Sequence, residues 1–219
     1  MLGVTAAVTP KGVRRQYALV SAAADLLCEG GFDAVRHRAV ARRAGLPLAA
    51  TTYYFSSLDD LIVKAVEHIG ALEAQQMREK LASLSRRRRG ADSTVDVLVD
   101  LLVGDDPCVG DDPETQVSEQ LISRYERYIA CARQPALREV QRRILQQRTD
   151  AVVQVVERSG RSVRPEHVTA LVCAVDGAVV AALVDDCEGP RSAARATLID
   201  VIDVLAPIMA PILLTAAPG

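Results

Sequence analysis

Residues 51–55 read Thr-Thr-Tyr-Tyr-Phe in a chain that has only five Tyr, two Phe and no Trp. The hydroxyls of Thr52, Tyr53 and Tyr54 are suited to phosphate oxygens, and the rings of Tyr53 and Tyr54 can cover sugar and base edges. That chemistry recognises a surface rather than transforming a substrate. The residue types that transform substrates are not arranged to do so. His37, His68 and His167 are scattered, and no P-loop, Gly-x-Gly-x-x-Gly, Gly-x-Ser-x-Gly or His-Glu-x-x-His sequence occurs. The five Cys form no Cys-x-x-Cys pair and none has a His within a few residues, so zinc-type spacing is absent. The expectation is a chain with no catalytic residue, no metal site and no cofactor, its thiols reduced and mostly buried.

The elements that would hold Thr52, Tyr53 and Tyr54 outward are helices. Helical periodicity runs throughout, no convincing alternating strand occurs, and the chain contains no Asn to make an Asn-Gly hairpin. Residues 11–29 place Tyr17, Val20, Ala24 and Leu27 on one face and stop at Gly30-Gly31. A short helix follows at about 36–43, then Ala44-Gly45-Leu46, then another opening at Pro47. A longer helix before two short ones joined by a tight glycine turn describes a helix-turn-helix. Val40 and Ala41 pack, while Leu46, Thr51 and Phe55 face back into a small core. Thr51 and Phe55 stand four apart and so share a face. Tyr53 and Tyr54 then project to the other side, which answers why two phenols sit next to a buried ring.

Beyond this head, a helix starts near Leu58 with Asp59 and Asp60 at the positive end of its dipole. It carries Leu61, Ile62, Ala65, Ile69, Leu72 and Met77 and frays at SRRRRGADS. Further helices are expected at about 92–103, 114–132, 136–158 and 165–185, and from about 192 to the prolines at 207 and 211. The fold class is therefore all-α: a three-helix head on a six-helix body. The boundaries are a mobile arm over 1–10, the head over 11–57 and the body over 58–214.

The stretch GFDAVRHRAVARRAGLPLAATTYYFSSLDDL is similar to the N-terminal helix-turn-helix of the TetR family of bacterial transcriptional regulators. Gly31-Phe32, Val40-Ala41, Ala44-Gly45, Tyr53-Tyr54-Phe55 and Leu61 carry the resemblance over about residues 11–65. It implies that Arg36, His37 and Arg38 touch phosphates and one or two bases. Arg38 is the first choice for base reading, since a guanidinium can bond guanine O6 and N7 together. It implies that Pro47, Leu48, Ala49 and Ala50 open the recognition helix and offer methyl-type contacts to thymine. Thr52, Tyr53 and Tyr54 would anchor that helix on the backbone. Three departures weaken any forecast of a binding sequence: Leu48 and Ala50 stand where polar residues are frequent, Thr52 where Tyr is, and Leu58 where Lys is.

The resemblance also implies a homodimer built on the last two long helices, presenting two recognition helices to a palindromic site in double-stranded DNA. Val168, Leu171, Val172, Val175, Val179 and Leu183 form an i, i+3, i+4 face on the first, and Leu198, Ile202, Leu205 and Met209 on the second. The same periodicity would serve an intramolecular core. For a small-molecule effector the candidates are Met77, Leu98, Leu101, Tyr125, Tyr128, Cys131 and Asp176. Tyr125 and Tyr128 are three apart and could stack on a ligand, or be ordinary core residues. Asp176 could meet a cationic ligand or simply cap a partner. The run Arg86–Arg89 reads as a solvated loop.

Charge agrees with a DNA-facing head. Residues 1–64 carry a net +3 and the remainder a net −5, for −2 overall. No apolar run reaches the roughly 18 residues of a membrane span, and the N-terminus lacks a signal peptide's basic and apolar regions. A cytoplasmic protein with no membrane partner is expected. Two readings stay open: a ligand-responsive DNA-binding regulator, with repression implied by the family, or a helical small-molecule- or partner-binding protein that has lost specific DNA recognition. Phosphate-based binding weakens steeply with salt and separates them.

Overall fold

Proline and glycine set the architecture. In the computed structural model, which describes residues 10–104, 113–185 and 189–209, the helices are α1 (Pro10–Ala34), α2 (His37–Arg43), α3 (Leu48–Tyr54), α4 (Leu58–Ser83), α5 (Ala91–Leu102), α6 (Pro113–Arg133), α7 (Pro135–Arg158), α8 (Pro165–Ala182) and α9 (Pro190–Leu205). Five of them begin at Pro, where the missing N–H leaves no bond unmade. The chain is all-helical with an N-terminal helix-turn-helix. The one sheet-like feature among the described residues is an isolated bridge between Arg161 and Ile208. Pro47 precedes the first residue of α3 instead of being it, with extended ψ of 145°. Pro211 and the arm over 1–9 lie outside the described residues.

The double glycine does not end α1 cleanly but kinks it. Gly30 has φ −147° and Gly31 φ 63°, ψ −165°, a region open essentially to glycine alone. Gly31→Ala is accordingly expected to destabilise the protein by about 2 kcal/mol. A lower denaturant midpoint at unchanged m-value would show it.

Two compact units make up the chain, one of residues 1–75 with 119–145, the other of 76–118 with 146–219. In the first, Leu19, Ala23 and Leu27 of α1, Val40 of α2, Phe55, and Leu61, Ala65 and Ile69 of α4 share one core with Cys131, Leu137, Val140 and Ile144. The inward face of α1 is offset from the expected one. Leu19, Ala22 and Ala23 are buried, whereas Tyr17 is exposed and packs edge-on against His68, ring centroids 5.3 Å apart. Leu72 is likewise exposed. At Gly70 the helices α4 and α7 come so close that a Cβ would stand 2.5 Å from Ile144 Cγ1. Ser57 Oγ accepts the Asp60 N–H at 3.0 Å, and the Asp60 carboxylate accepts the Ser56 N–H at 3.1 Å, so side chains on both sides fasten the start of α4.

In the second unit α8 packs on α9 and α9 on α5. Arg195 of α9 bonds Asp92 and Asp96, and Arg191 bonds Asp100, all three acids on α5. Helix C-termini here are served by arginines, which supply both donors and positive charge to exposed carbonyls. Arg158 donates to Leu81 O and to Leu84 O beyond the end of α4. Arg161, fully buried, donates to Ala206 O at 2.8 Å after α9 and to Asp203 at 2.7 Å. Arg89 donates to Arg158 O at 3.2 Å at the end of α7 and to Ser85 O at 3.0 Å. The expected solvated loop is therefore solvated only at Arg86, Arg87 and Arg88; Arg89 is buried.

Candidate nucleic-acid interface and ligand cavities

The head presents its polar surface through a turn that glycine makes possible. Gly45 takes φ 63°, which lets Leu46 N–H reach back to Ala41 O at 3.0 Å and Gly45 N–H to Arg42 O at 3.2 Å. Helix α3 then lays Thr51 fully into the core, its hydroxyl bonded to Leu48 O at 2.8 Å. Phe55 is buried too, just past the helix, in extended conformation. Opposite them Tyr53 stands 80% exposed. Tyr54 does not share that freedom. It is half-buried against the head core, edge-on to Tyr53 with ring centroids 4.9 Å apart. Thr52 is exposed, and its hydroxyl donates to Ala49 O at 3.2 Å. Pro47, Leu48 and Ala49 are exposed, while Ala50 packs partly against the core.

The arginines of the head divide into engaged and unengaged. Arg36 closes the corner between α1 and α2, donating to Val35 O at 3.1 Å and pairing with Asp33 at 3.2 Å. Arg43 grips Glu29 with two bonds of 2.8 and 2.5 Å, and that hydrogen bonding holds the Glu29 carboxyl below its ordinary range. Arg38 and Arg42 are exposed and have no hydrogen-bond or ion-pair partner among the described residues. They stand four apart on α2 and so share a face. Arg42 was not singled out by the sequence, although its spacing from Arg38 carried the signal. His37 is half-buried, with its Nδ1 lacking a partner among the described residues.

Among the described residues, cavities lie within each unit. In the second unit Lys80, Leu81, Leu84, Val97, Leu101 and Val155 line about 240 Å³. In the first, about 530 Å³ opens between the Gly30-Gly31 kink and the end of α6, and about 330 Å³ lies between α6 and α7. The last is lined by Tyr128, Cys131, Ala132, Arg138, Gln141, Arg142 and Leu145. Burial pushes the thiols of Cys28 and Cys131 up, so neither is activated as a nucleophile. Among the described residues no three His, Cys, Asp or Glu are grouped to hold a metal ion.

Residues 19–65 match the family described as bacterial regulatory proteins, tetR family. Residues 89–204, more than half of the chain, match the tetracyclin repressor-like C-terminal domain. The chain belongs to the TetR family. Its helix-turn-helix is thus the DNA-binding part of a transcriptional regulator. Among solved TetR-like structures, the multidrug binding protein EbrR, complexed with imidazole, is 27% identical, with 90% of this chain and 96% of that one covered and a TM-score of 0.59. EbrR is also solved with proflavin and with ethidium. A member of the TetR family from Streptomyces coelicolor A3, SCO1917, is 27% identical over 85% of this chain and 97% of that one, TM-score 0.57. A transcriptional regulator from Saccharomonospora viridis in complex with choline shares the fold at 17% identity, 89% and 98% coverage and TM-score 0.64. No curated protein matches the chain in sequence.

The residues put forward for the TetR-family effector divide between the two units. Tyr128 and Cys131 line the 330 Å³ cavity of the first unit, and Tyr125 meets Tyr128 edge-on at 5.7 Å. Leu101 lines the 240 Å³ cavity of the second unit, Leu98 is fully buried and does not line it, and Met77 is half-buried. Asp176 is held by Arg148 through two bonds of 2.8 and 2.7 Å. The expected partner face is largely occupied within the single chain. Val168, Leu171, Val172, Val175, Val179, Leu198 and Ile202 are buried inside the single chain because α8 and α9 pack on each other through them. Leu183 and Leu205 remain partly exposed. What α8 leaves open is a stripe of Cys173, Gly177, Val180 and Ala181, continued by Val184 just past its end. By length and composition α8 would suffice to cross a membrane, but five of its residues belong to the core and Arg148 bonds its middle.

Proposed function

We propose that this TetR-family regulator is a homodimeric repressor that binds a palindromic operator and is released by a small-molecule effector. The observation that carries the DNA part is the pairing of an exposed, unengaged Arg38 with an exposed Tyr53 across a helix-turn-helix whose Thr51 and Phe55 face inward. Arg38 reads a base, Arg42 and Tyr53 contact phosphates, and Pro47, Leu48 and Ala49 lie against thymine methyls. Arg36 and His37 stay close to the backbone of the DNA, with Thr52 and Tyr54 bracing the recognition helix. The dimer forms through the open stripe of α8 around Gly177, where small residues let backbones approach. Effector binding favours a body conformation that holds the two heads too far apart for adjacent major grooves. The ligands of EbrR and of the choline-bound relative support an effector role for a body cavity. Such a regulator works in the cytoplasm.

Fluorescence anisotropy against DNA from around the protein's own gene, with scrambled DNA as competitor, tests this reading. Tight, competitor-resistant binding is expected, falling steeply with salt. Arg38→Ala should weaken it by about 10- to 100-fold, with the folded state unchanged by circular dichroism. Weak binding equal for both DNAs, persisting through a genome-wide selection of sequences, would hand the assignment to a binding module without DNA specificity.

A further inference from the structure

Within the first unit the inward stripe of α7 runs Leu137, Val140, Gln141 and Ile144, all buried. Gln141 is the polar member. It is 5% exposed, and neither its Oε1 nor its Nε2 has a partner among the described residues. Buried polar groups are nearly always bonded, so an amide with both functions unused asks for an explanation. The same residue lines the 330 Å³ cavity between α6 and α7. Because it gives up no hydrogen bond, its terminal amide can turn toward the cavity without breaking one.

The cavity's chemistry narrows what it would take. An amide offers one donor and one acceptor side by side, and its complement is an edge with an acceptor beside a donor. A carboxylate would set an oxygen against Oε1, and a cation would find no acid on the lining. Two arginines stand at the rim, Arg138 donating one bond to Ala132 O at 2.9 Å and Arg142 paired with Glu139, which offsets its charge. Cys131, Leu145 and the ring of Tyr128 supply apolar walls that suit a flat ring. We propose that this cavity binds a neutral planar molecule with a lactam or carboxamide edge, which Gln141 recognises by a donor–acceptor pair. As the effector site it rests on the ligand-responsive reading; as a binding site it stands alone.

The test titrates the full-length protein with 2-quinolone, a fluorescent bicyclic lactam, and with N-methyl-2-quinolone, which lacks the donor. The wild-type protein should prefer 2-quinolone by about tenfold. In Gln141→Leu the two probes should bind alike, with the N-methyl affinity kept and the melting temperature no lower, since an unbonded amide is exchanged for an apolar group of similar shape. Equal affinities in the wild type, a preference that survives Gln141→Leu, or no saturable binding of either probe would overturn the site. Preferential binding that leaves operator affinity unchanged upholds the site and removes only its role as effector pocket. Failure of the unliganded protein to bind DNA would count against the regulator reading and leave the site intact.

Discussion

Asp176→Ala is expected to lower the unfolding free energy by about 3 kcal/mol. Arg148 is 6% exposed and Asp176 25%, and the guanidinium grips the carboxylate in a two-bond fork. Arginine cannot shed its proton to escape burial. Without that carboxylate the charge stays in a low-dielectric site with its main counter-charge gone, a loss well beyond that of a surface pair. The double replacement Arg148→Met with Asp176→Leu should recover most of the loss, because it removes the buried charge along with its partner. Urea denaturation of the wild type, Arg148→Met, Asp176→Leu and the double variant measures the coupling directly. A drop below about 1 kcal/mol for Asp176→Ala would mean that the pair behaves as a solvated surface contact. The same pairing bears on function. A cationic effector could use Asp176 only by displacing Arg148.

The second large effect lies in the arginine run. Arg89→Ala is expected to destabilise the protein by about 2 kcal/mol, whereas Arg86→Ala and Arg87→Ala should stay within about 0.5 kcal/mol. Arg89 is 6% exposed, and its fork donates to Ser85 O and Arg158 O, with the backbone bonds Arg87 N–H to Arg158 O and Arg89 N–H to Ser159 O fastening the same loop. Burial, with Arg87 nearby, pushes the Arg89 pKa down, yet the group remains charged at neutral pH. Truncation would leave Arg158 O at the end of α7 and Ser85 O of the loop without this donor. Arg89→Lys should be nearly as damaging, since an ammonium has no planar fork to span carbonyls of two segments. Thermal melts of the single variants check the ranking. Four equal and small effects would return the whole run to solvent.

How far the sequence reached depends on whether local geometry decides the position. Thr51 and Phe55 inward with Tyr53 outward follows from helical spacing alone, and the structure has it so. Tyr54 obeys the same spacing, since it stands three residues after Thr51 and four after Ala50 and so leans toward the core face, which makes the two neighbouring phenols unequal. On α1 the Ala-rich stripe is broad and shallow, and its centre could be misplaced by enough to put Tyr17 inside. The α8 and α9 stripes are apolar in sequence and buried in the structure, but periodicity does not say whether a face meets its own chain or another. Arg89, Arg148 and Gln141 were illegible for a different reason. Each is a polar residue at a buried position, and its partners, or their lack, arise from segments distant in sequence.

Gly70 and Ile144 deserve a last consideration as a pair. A single methyl group at 70 would lie 2.5 and 2.6 Å from the Cγ1 and Cδ1 carbons of Ile144, and a packed interior cannot absorb it without displacement. The two positions therefore act as one heritable unit. A carbon gained at 70 is tolerated only as far as the outer atoms of Ile144 can turn aside or a smaller residue stands at 144.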